Sequence, residues 1–597
     1  MNQVPQTEIK EFTFSPEGAE ALVLMEKGRD WPVVYILTGS DGDKKVAYVG
    51  ETSSAYNRFL QHLGNPDRKC MKCTYIILND MFNKSAVLDI ENMLIDHMHV
   101  DGCFVLQNLN GGQSKYHDYY QRLVYRQIFC EIWEKLRKEH IAKKELGEIE
   151  NSNLFKYSPF KQLTDEQYDL RNILLLDISS ALESNVKKEI IVEGGAGTGK
   201  SVLAVSLLKY IADVLYQKRD FNSFSSDELV SRDSLENLDF EIARELQINR
   251  AISEAGELHI AFVIPMDSFR KTIKTVFSRT PSLKKLKVDV VGPNDFAKKD
   301  GGYDIVIVDE AHRLQTYRRF PNHYAYKESC RKLGFSDFMN TTQLDWVIKQ
   351  TKSVLIMFYD RNQSISDKDI FPEDFEELKR RGALEYMITN QIRLLAGRDY
   401  IDYWRELLRN KADGMKVDLS NNGYDFRIYD RFSDMLKDIE KRDGEYNGLC
   451  RVLAGYGFRC SQGKNDPRTK KDIEIEGTSY YWNDKDDVGY VNNPDSVRDI
   501  GCVHKVQGFD LNYAGVVFAP DIRYEDGVGI LPVPENYYDK TSKSSYEGRT
   551  EKDILNSYLV LLTRGIRGTY IYCCDSRLKE YFIATLGAKY VRYSSED

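Results

Sequence analysis

The stretch that decides the fold of this protein reads Gly194-Gly195-Ala196-Gly197-Thr198-Gly199-Lys200-Ser201. It follows an apolar run, Ile190–Val192, and opens a helical pattern, Val202–Ile211. Glycines at this spacing let backbone amides curl around phosphate groups, and the helix N-terminus adds the positive end of its dipole. We expect Lys200 to reach the β- and γ-phosphates of ATP, and Ser201 to bind Mg²⁺.

A second acidic site is required for nucleotide hydrolysis, and one follows downstream. The β-branched run Ile305–Val308 leads directly into Asp309 and Glu310. Such a run predicts a buried parallel strand, and ligands lie at the carboxyl edge of parallel sheets. We expect Asp309 to hold Mg²⁺ through its water shell and Glu310 to orient and activate the attacking water.

Apolar strand patterns alternate with helical patterns on both sides of these motifs. The predicted strands are Glu189–Glu193, His259–Pro265, Lys287–Val291, Asp304–Asp309, Ser353–Phe358, Gly448–Ala454, Tyr513–Ala519 and Gly568–Cys573. This alternation predicts parallel sheets with crossover helices. We assign residues 157–385 to one such lobe and 386–597 to a second.

Length and composition limit the classes that fit. At 597 residues the chain is too long for one hydrophobic core, so about three domains are expected. We find no apolar signal segment and no membrane-length apolar run, and the ten cysteines are scattered, which predicts a cytoplasmic protein. The net charge of −9 argues against non-specific coating of nucleic acid but not against local basic grooves.

Several further segments follow one another along the chain. They are Asp309–His312, Tyr359–Ser364, Thr389–Arg393, Val452–Gly457, Val503–Asp510 and Tyr558–Gly565, with Leu163–Gln167 upstream. These segments resemble the motifs of superfamily 1 helicases, and among them the Schlafen-type group. The resemblance implies that Gln363 senses the γ-phosphate, that Arg393 contacts phosphate and that Arg564 is the arginine finger. It also places Gly508 and the adenine-reading Gln167 at the nucleotide.

The two predicted lobes would then grip one nucleotide from opposite sides. Lys200 and the acidic pair belong to the first lobe, and Arg393 and Arg564 belong to the second. Guanidinium groups pair well with a γ-phosphate, so binding would close the cleft and hydrolysis would release it. Such a cycle can drive stepping along a nucleic-acid strand.

The first 114 residues form a different block, with short β-rich runs at Val33–Thr38, Val46–Val49 and Tyr75–Leu78. A helical piece surrounds Arg58, and a second amphipathic helix covers Ser85–His97. A charged helical run follows over residues 115–156, which we interpret as a linker.

Five polar residues of this block are Tyr35, Tyr48, Arg58, Glu91 and Asn108. In their order and spacing they resemble the GIY-YIG endonuclease family, over about residues 31–112. The first motif reads Val-Val-Tyr here, and the second reads Tyr-Val-Gly. The family's fold would make this a small α/β nuclease domain.

The resemblance implies phosphodiester hydrolysis with one divalent metal. Either Tyr35 or Tyr48 would activate a water, and Arg58 would stabilise charge in the transition state. Glu91 would hold Mg²⁺ at the leaving oxygen. His62, four residues after Arg58 and so on the same helical face, would orient the water or assist the tyrosine.

A lone C-x-x-C at Cys70 and Cys73 is more typical of two strand cysteines than of a zinc site. We therefore predict an α/β protein: a nuclease domain, a helical linker and two RecA-like lobes. It would couple ATP-driven movement to cutting of DNA, in defence against foreign DNA or in repair. RNA as the substrate and a nucleotide-gated switch without cutting remain the alternatives.

Overall fold

A computed structural model describes residues 7–25, 27–108, 122–195, 197–216, 235–317, 320, 322–361, 363, 369–389, 394–459, 471–482, 490–491, 493–506, 509–539 and 549–593. The chain divides into two compact units. The first consists of Met1–Ser179, Val202–Gly256 and Thr272–Lys287, and the second of Ser180–Ser201, Glu257–Lys271 and Val288–Asp597.

The N-terminal region contains a small mixed sheet with helices on both faces. Its elements are β1 (Glu8–Thr13), α1 (Pro16–Val23), β2 (Val33–Asp41), β3 (Lys44–Thr52), α2 (Ala55–Leu63), a 3-10 turn (Pro66–Arg68), β4 (Met71–Leu78), α3 (Lys84–Asp101), β5 (Val105–Leu106), α4 (Arg122–Lys138), α5 (Leu146–Asn151) and α6 (Asn153–Lys156). The strand order is β1-β4-β2-β3-β5. All pairs are antiparallel except β3 with β5.

A tight hairpin between β2 and β3 sets the register of this sheet. Asp41 pairs with Lys44, and Gly42 between them has a φ of 58°, a conformation that favours glycine in two-residue hairpins. Because side chains alternate along a strand, Tyr35 and Tyr48 fall on the face that packs against α2.

The opposite face of the sheet is covered by α3 and α4. Helix α3 begins at an Asn83 cap and ends at Gly102 in the left-handed conformation. The region predicted as a linker is described from residue 122, and its helix α4 ends at Lys138. There α4 buries Ile132 and Trp133 in the same core as α3, so this helix adds to the hydrophobic core of the first unit.

The middle of the chain alternates helices and strands. Its elements are α7 (Asp165–Ser184), β6 (Lys188–Gly194), α8 (Lys200–Tyr216), α9 (Leu235–Glu254), β7 (Ile260–Val263), α10 (Asp267–Arg279), α11 (Pro281–Leu286), β8 (Asp289–Val291), α12 (Pro293–Ala297), β9 (Tyr303–Val308), α13 (His323–Lys332), α14 (Gln343–Gln350), β10 (Thr351–Tyr359), α15 (Pro372–Arg380) and β11 (Leu384–Ile388). Their six strands form a parallel sheet in the order β11-β6-β10-β9-β7-β8.

The C-terminal part repeats this architecture. Its elements are α16 (Gly397–Leu407), β12 (Asp425–Tyr429), α17 (Phe432–Glu445), β13 (Cys450–Ala454), β14 (Ile473–Ile475), β15 (Thr478–Tyr480), β16 (Ile500–Cys502), α18 (Val503–Val506), β17 (Leu511–Phe518), β18 (Ile522–Glu525), β19 (Gly529–Pro532), α19 (Arg549–Leu562), β20 (Gly565–Cys573), α20 (Ser576–Leu586) and β21 (Val591–Arg592). Six strands form a second parallel sheet, ordered β16-β13-β17-β20-β12-β21.

Both parallel sheets lie in the second unit and are RecA-like lobes, as predicted. All eight predicted strands are confirmed, with ends shifted by a few residues. The fully buried β-branched runs in β6 and β9 explain this success, since strands covered on both faces need continuous apolar sequence. Within the described parts of the chain, every helix is too short or too polar to cross a bilayer.

Candidate functional site

Three strands of the first parallel sheet bring the phosphate-loop residues together. Strand β10 lies between β6 and β9, with Tyr359 opposite Glu193 and Met357 opposite Val308. Parallel neighbours end at the same edge of a sheet, which is where ligands bind in such folds. The glycine loop, Asp309 and Asp360 follow these three strands and therefore lie side by side.

The glycine loop curves back over its own lysine. Gly197 and Gly199 have φ values of 80° and 78°, which glycine adopts without strain. Lys200 begins helix α8, and its Nζ donates to the carbonyl oxygens of Gly194 at 2.6 Å and Gly195 at 2.8 Å. The loop thus holds a buried ammonium group in the position expected of a phosphate-binding lysine.

Two oxygen ligands suited to Mg²⁺ lie beside this lysine. Asp309 is fully buried and is hydrogen-bonded to the side chain of Ser201. Burial, aided by Glu310, raises the pKa of Asp309 to about 6, while Ser201 and Lys200 act in the opposite direction. In the described part of the chain, Asp309 Oδ2 has no hydrogen-bond partner. A hydroxyl and an unsatisfied carboxylate oxygen fit the hard cation that this chemistry needs.

Glu310 is held in a strained backbone conformation. Its φ is 51°, in the left-handed region that non-glycine residues rarely occupy, and such strain concentrates at functional sites. Its Oε2 lies 2.9 Å from Nε2 of the buried His312. Burial opposes ionisation of Glu310, but His312, Lys200 and Arg313 together hold its pKa below the ordinary value. An ionised carboxylate is the form that can accept a proton from water.

A chain of polar contacts joins the arginine of the second parallel sheet to this lysine. Arg564 is buried, and its Nη2 lies 3.5 Å from Gln363 Oε1. Gln363 Nε2 donates to Asp360 Oδ2 at 2.7 Å, and that carboxylate oxygen lies 3.8 Å from Lys200 Nζ. The structure therefore brings Gln363, Lys200 and Arg564 into one network.

A cavity of about 160 Å³ adjoins the glycine loop. It is lined by Glu193, Gly194, Gly195, Thr198, Asp360, Met387, Ile388, Thr389, Arg398, Ile401, Asp402 and Arg405. Four of these residues project from one face of α16 at helical spacing, and two of them are arginines.

Four predicted nucleotide contacts remain. Ala196, Arg393 and Gly508 fall outside the described residues. Gln167 is buried at the start of α7 in the first unit, where its Oε1 accepts from the backbone of Thr164.

The predicted nuclease residues form a second cluster, within the first unit. Tyr35 Oη lies 2.8 Å from His62 Nε2 and accepts from Arg58 Nε at 3.2 Å. The ring of Tyr48 packs edge-on against His62 and also lies near Arg58. Strand β2 supplies the first tyrosine, β3 the second, and α2 the arginine and histidine. Tyr35 thus shares one polar centre with Tyr48, 13 positions later, and with His62, 27 positions later.

Burial controls ionisation in this cluster. The pKa of Tyr35 is raised well above its ordinary value by burial and by Tyr48, with Arg58 opposing. Burial, together with Arg58 and Arg68, lowers the pKa of His62 to about 3. His62 is therefore uncharged near neutral pH, and the positive charge at this centre comes from arginine.

Glu91 and Asn108 have different surroundings. Glu91 lies on α3, where burial and the nearby Glu51 raise its pKa to about 8. Lys84 pairs with Glu51 at 2.7 Å. Asn108 is buried; its Oδ1 accepts from the backbone nitrogen of Val49 and its Nδ2 donates to the carbonyl. That pair continues the β3–β5 ladder, so this asparagine holds the strands together.

Among the described residues, no three His, Cys, Asp or Glu side chains gather into a metal-binding group. Cys70 and Cys73 are free thiols at β4. Cys73 lies within β4, as predicted, whereas Cys70 lies in the turn before that strand. A magnesium ion in a nuclease needs fewer protein ligands, since water and substrate phosphate complete its shell.

Some residues of both sites were not predicted. Asp360 stands within a recognised segment, yet only its contacts with Lys200 and Gln363 reveal its place. Arg398 and Arg405 could have been found from their helical spacing beyond β11. Arg68, whose guanidinium lies 4.1 Å from the ring centre of Tyr48, has no signal in the sequence because a turn brings it there.

Comparison with known proteins agrees with the ATPase geometry. The family described as Schlafen group 3, DNA/RNA helicase domain, matches residues 187–575, more than half of the chain. An uncharacterized protein of Saccharomyces cerevisiae, YPL245W, is 26% identical over 455 residues, which cover 70% of this chain and 90% of the yeast protein.

Two solved structures show weak likeness. The crystal structure of Arterivirus nonstructural protein 10, a helicase, is 10% identical, with a TM-score of 0.22, and the match covers 96% of this chain and 77% of that one. The crystal structure of Bacteroides Pif1 bound to ssDNA is 8% identical, with a TM-score of 0.20, covering 62% and 89%. Scores this low do not establish a shared fold.

Proposed function

This chain belongs to the Schlafen group 3 DNA/RNA helicase family, and on that premise we propose that it is an ATP-driven motor that moves along DNA and also cuts it. The observation that carries the motor is the chain of contacts from Lys200 through Asp360 and Gln363 to Arg564. It links the two parallel sheets of the second unit at the predicted nucleotide site.

Each residue of this site has a distinct task. Lys200 binds the terminal phosphates, and Ser201 and Asp309 would hold Mg²⁺, which neutralises phosphate charge when bound. Glu310 orients the attacking water and accepts its proton. Arg564 stabilises charge on the transferred phosphoryl group, and Gln363 reports whether that group is present.

The hydrolysis cycle supplies movement. With ATP bound, the γ-phosphate competes for Lys200 and Arg564, so their present contacts with Asp360 and Gln363 must rearrange. After hydrolysis, these contacts form again. Alternation between two hydrogen-bond sets is a two-state element that both nucleotide and nucleic acid can bias.

The cutting activity is proposed for the first unit. Its support is the cluster of Tyr35, Tyr48, Arg58 and His62, with Glu91 as the metal ligand. A tyrosine would take a proton from water, and the arginine would stabilise the pentacovalent phosphate. Defence against foreign DNA and DNA repair both use such a pairing of activities.

The motor is tested by ATPase assays on the full chain with single-stranded DNA, duplex DNA and RNA. We expect DNA to stimulate hydrolysis and Lys200→Ala to abolish it, while the exposed Lys349→Ala retains it. If RNA alone stimulates ATP hydrolysis, the motor moves along RNA and not DNA. A rate of ATP hydrolysis that neither DNA nor RNA raises would favour a nucleotide-gated switch.

The nuclease is tested by nicking of supercoiled plasmid with Mg²⁺ and no ATP. We expect Glu91→Ala to lose nicking by about 100-fold or more, because the metal ligand is removed. The matched control is Glu148→Ala, an exposed glutamate of the same unit. Nicking that survives Glu91→Ala would refute this assignment.

A further inference from the structure

A cavity of about 530 Å³ opens at the surface of the first unit, where helix α4 ends. The cations that line it are Lys45 from β3, Arg137 and Lys138 from the last turn of α4, and Lys143 from the segment that follows. Among the described residues of the lining, Glu134 is the only carboxylate. Four cations around one anion attract negatively charged ligands, although the chain as a whole has a net charge of −9.

Backbone hydrogen bonds fix the segment that carries Lys143. Helix α4 ends at Lys138, and His140 has a left-handed φ of 57°, which turns the chain back along the helix. Asp101, at the end of α3, is buried, and its Oδ1 accepts from the backbone nitrogens of Lys143 at 3.0 Å and Lys144 at 2.7 Å. These bonds hold the backbone of Lys143 in place, so its exposed side chain stays at the cavity.

Protein carboxylates neutralise only part of the positive charge in this cavity. Arg137 forms ion pairs with Glu134, at 2.9 Å, and with a second glutamate. In the described part of the chain, no carboxylate forms an ion pair with the ammonium group of Lys45, Lys138 or Lys143. Ammonium groups that share one cavity repel one another, and an anion bound between them relieves that repulsion.

The Cys103 thiol shows that two of these lysines direct their charge to the same place. Burial, aided by Asp101, raises the pKa of this thiol, whereas Lys143 and Lys45 act to lower it. Lys45 Nζ also lies 6.0 Å from the ring centre of Phe104, the residue after Cys103. Lysines from distant parts of the sequence thus meet beside the end of α3.

A phosphodiester group is the anion that suits these side chains and this location. Lysine supplies a point charge with three donors and arginine a planar fork, and both bind phosphate oxygens. Lys45 and Tyr48 lie three residues apart on β3, about 10 Å along the strand and on opposite faces of the sheet. A nucleic-acid strand advances about 3.4 Å per nucleotide, so one that passes the hairpin end of the sheet can contact both positions.

We propose that this cavity binds a backbone phosphate of the nucleic acid on which the protein acts, with Lys45, Lys138 and Lys143 as its direct contacts. The inference rests on the proposed function and adds to it a contact that holds the nucleic acid on the first unit. Phosphate contacts position a nucleic acid without reading its sequence, so binding here is independent of the bases. Each phosphate that lysine binds releases condensed counterions, so binding weakens as salt rises.

The test measures binding of labelled duplex DNA and labelled RNA to the full chain by fluorescence anisotropy. EDTA is present and nucleotide is absent, so that neither cutting nor ATP hydrolysis occurs. For Lys138→Gln/Lys143→Gln, we expect Kd to rise about tenfold at about 100 mM salt. The slope of log Kd against log salt concentration should fall by about 1, the value for one phosphate. Two DNAs of unrelated sequence should show equal losses.

The matched control is Lys284→Gln/Lys285→Gln, which removes the same charge from two exposed lysines of α11 in the first unit. Its Kd and its salt slope should match those of wild type. The midpoint of thermal unfolding should be the same in wild type and in both double variants, because all four substituted lysines are exposed.

The possible results separate the cavity from the proposed function. A wild-type chain that binds neither DNA nor RNA overturns the nucleic-acid function itself. Wild-type binding with an unchanged Kd and salt slope in Lys138→Gln/Lys143→Gln overturns the cavity site alone. Equal losses in both double variants also overturn the cavity site, because the effect would then come from the total charge of the unit.

Discussion

The phosphate-loop site and the tyrosine–arginine cluster are built in opposite ways. In the first, the chain runs without interruption through Gly194–Ser201, and backbone carbonyls hold Lys200. In the second, β2, β3, α2 and a turn each contribute one or two side chains, and ring and guanidinium contacts hold them. One site depends on backbone conformation and the other on side-chain packing.

This difference explains why one site is easy to recognise and the other is not. A loop that binds through its backbone needs glycine at particular φ values, so its sequence is nearly unique. A site built from packed side chains leaves isolated tyrosines and arginines that also suit ordinary strands and helices. The next four variants test whether the two sites respond as this contrast requires.

The largest effect on a reaction rate is expected from a substitution of Arg564. Arg564→Lys should lower the kcat of ATP hydrolysis about 1,000-fold, because lysine cannot reproduce the bidentate contact with a transferred phosphoryl group. ATP affinity should change little, and nicking without ATP should persist. Arg577→Lys, an exposed arginine at the start of α20, is the matched control. A mild loss of kcat would place Arg564 outside the reaction.

Gly197→Ala tests the backbone-built site. A side chain at a φ of 80° strains the loop, which should weaken ATP binding and hydrolysis by about 100-fold while the folded state survives. Gly414→Ala, also at positive φ but away from both sites, controls for general strain. Equal ATPase loss in both variants would show that global stability, not loop geometry, is responsible.

Tyr35→Phe tests the side-chain-built site. It removes one hydroxyl that both His62 and Arg58 contact, so those groups lose their alignment while the ring still packs. Nicking should fall about tenfold, and ATPase activity should remain within about twofold. Tyr56→Phe, on the same helix as Arg58, should leave nicking unchanged. Unchanged nicking in Tyr35→Phe would place this hydroxyl outside the reaction.

The last effect concerns the stability of the first unit against acid. Burial, Arg58 and Arg68 lower the pKa of folded His62 to about 3, from an ordinary value of 6.5. As pH falls below about 6.5, His62 binds a proton in the unfolded chain but stays neutral in the folded chain. The free energy of unfolding therefore falls by about 1.4 kcal/mol per pH unit from this group, down to about pH 3, and no penalty remains above pH 6.5.

His62→Gln should remove that slope. Calorimetric unfolding of wild type and variant at several values between about pH 4.5 and 7 gives the comparison. Their midpoints should converge on acidification, with His259→Gln, an exposed histidine, following wild type. Parallel curves for wild type and His62→Gln would mean that the histidine is not held neutral.

Much of the fold could be predicted from local patterns. Runs such as Ile305–Val308 read as buried parallel strands because both faces of such strands are covered, and all eight predicted strands are present. Strands β12 and β16 were missed because runs of three to five residues are too short to show a clear period. The helix α4 was interpreted as a linker, since its charged positions obscured the apolar face that packs beside α3.

The residues of the candidate sites also fall into two groups, those that the sequence predicts and those that only the structure reveals. The positions of Lys200, Asp309 and Glu310 followed from motif order, whereas Asp360, His312 and Arg68 became visible only through contacts. No sequence pattern predicts that a turn carries an arginine across the ring of Tyr48. Nor does any pattern predict that both polar atoms of the Asn108 side chain form hydrogen bonds with the backbone of Val49.

By itself the sequence determined the parallel α/β architecture and the phosphate loop, because glycine conformation and apolar periodicity act over a few neighbouring residues. Tertiary structure alone decided which distant charges meet: Arg564 with Gln363, Arg68 with Tyr48 and Glu51 with Glu91. The ionisation of buried groups depends on their burial and on neighbours that are distant in the sequence. Neither can be read from local patterns along the chain.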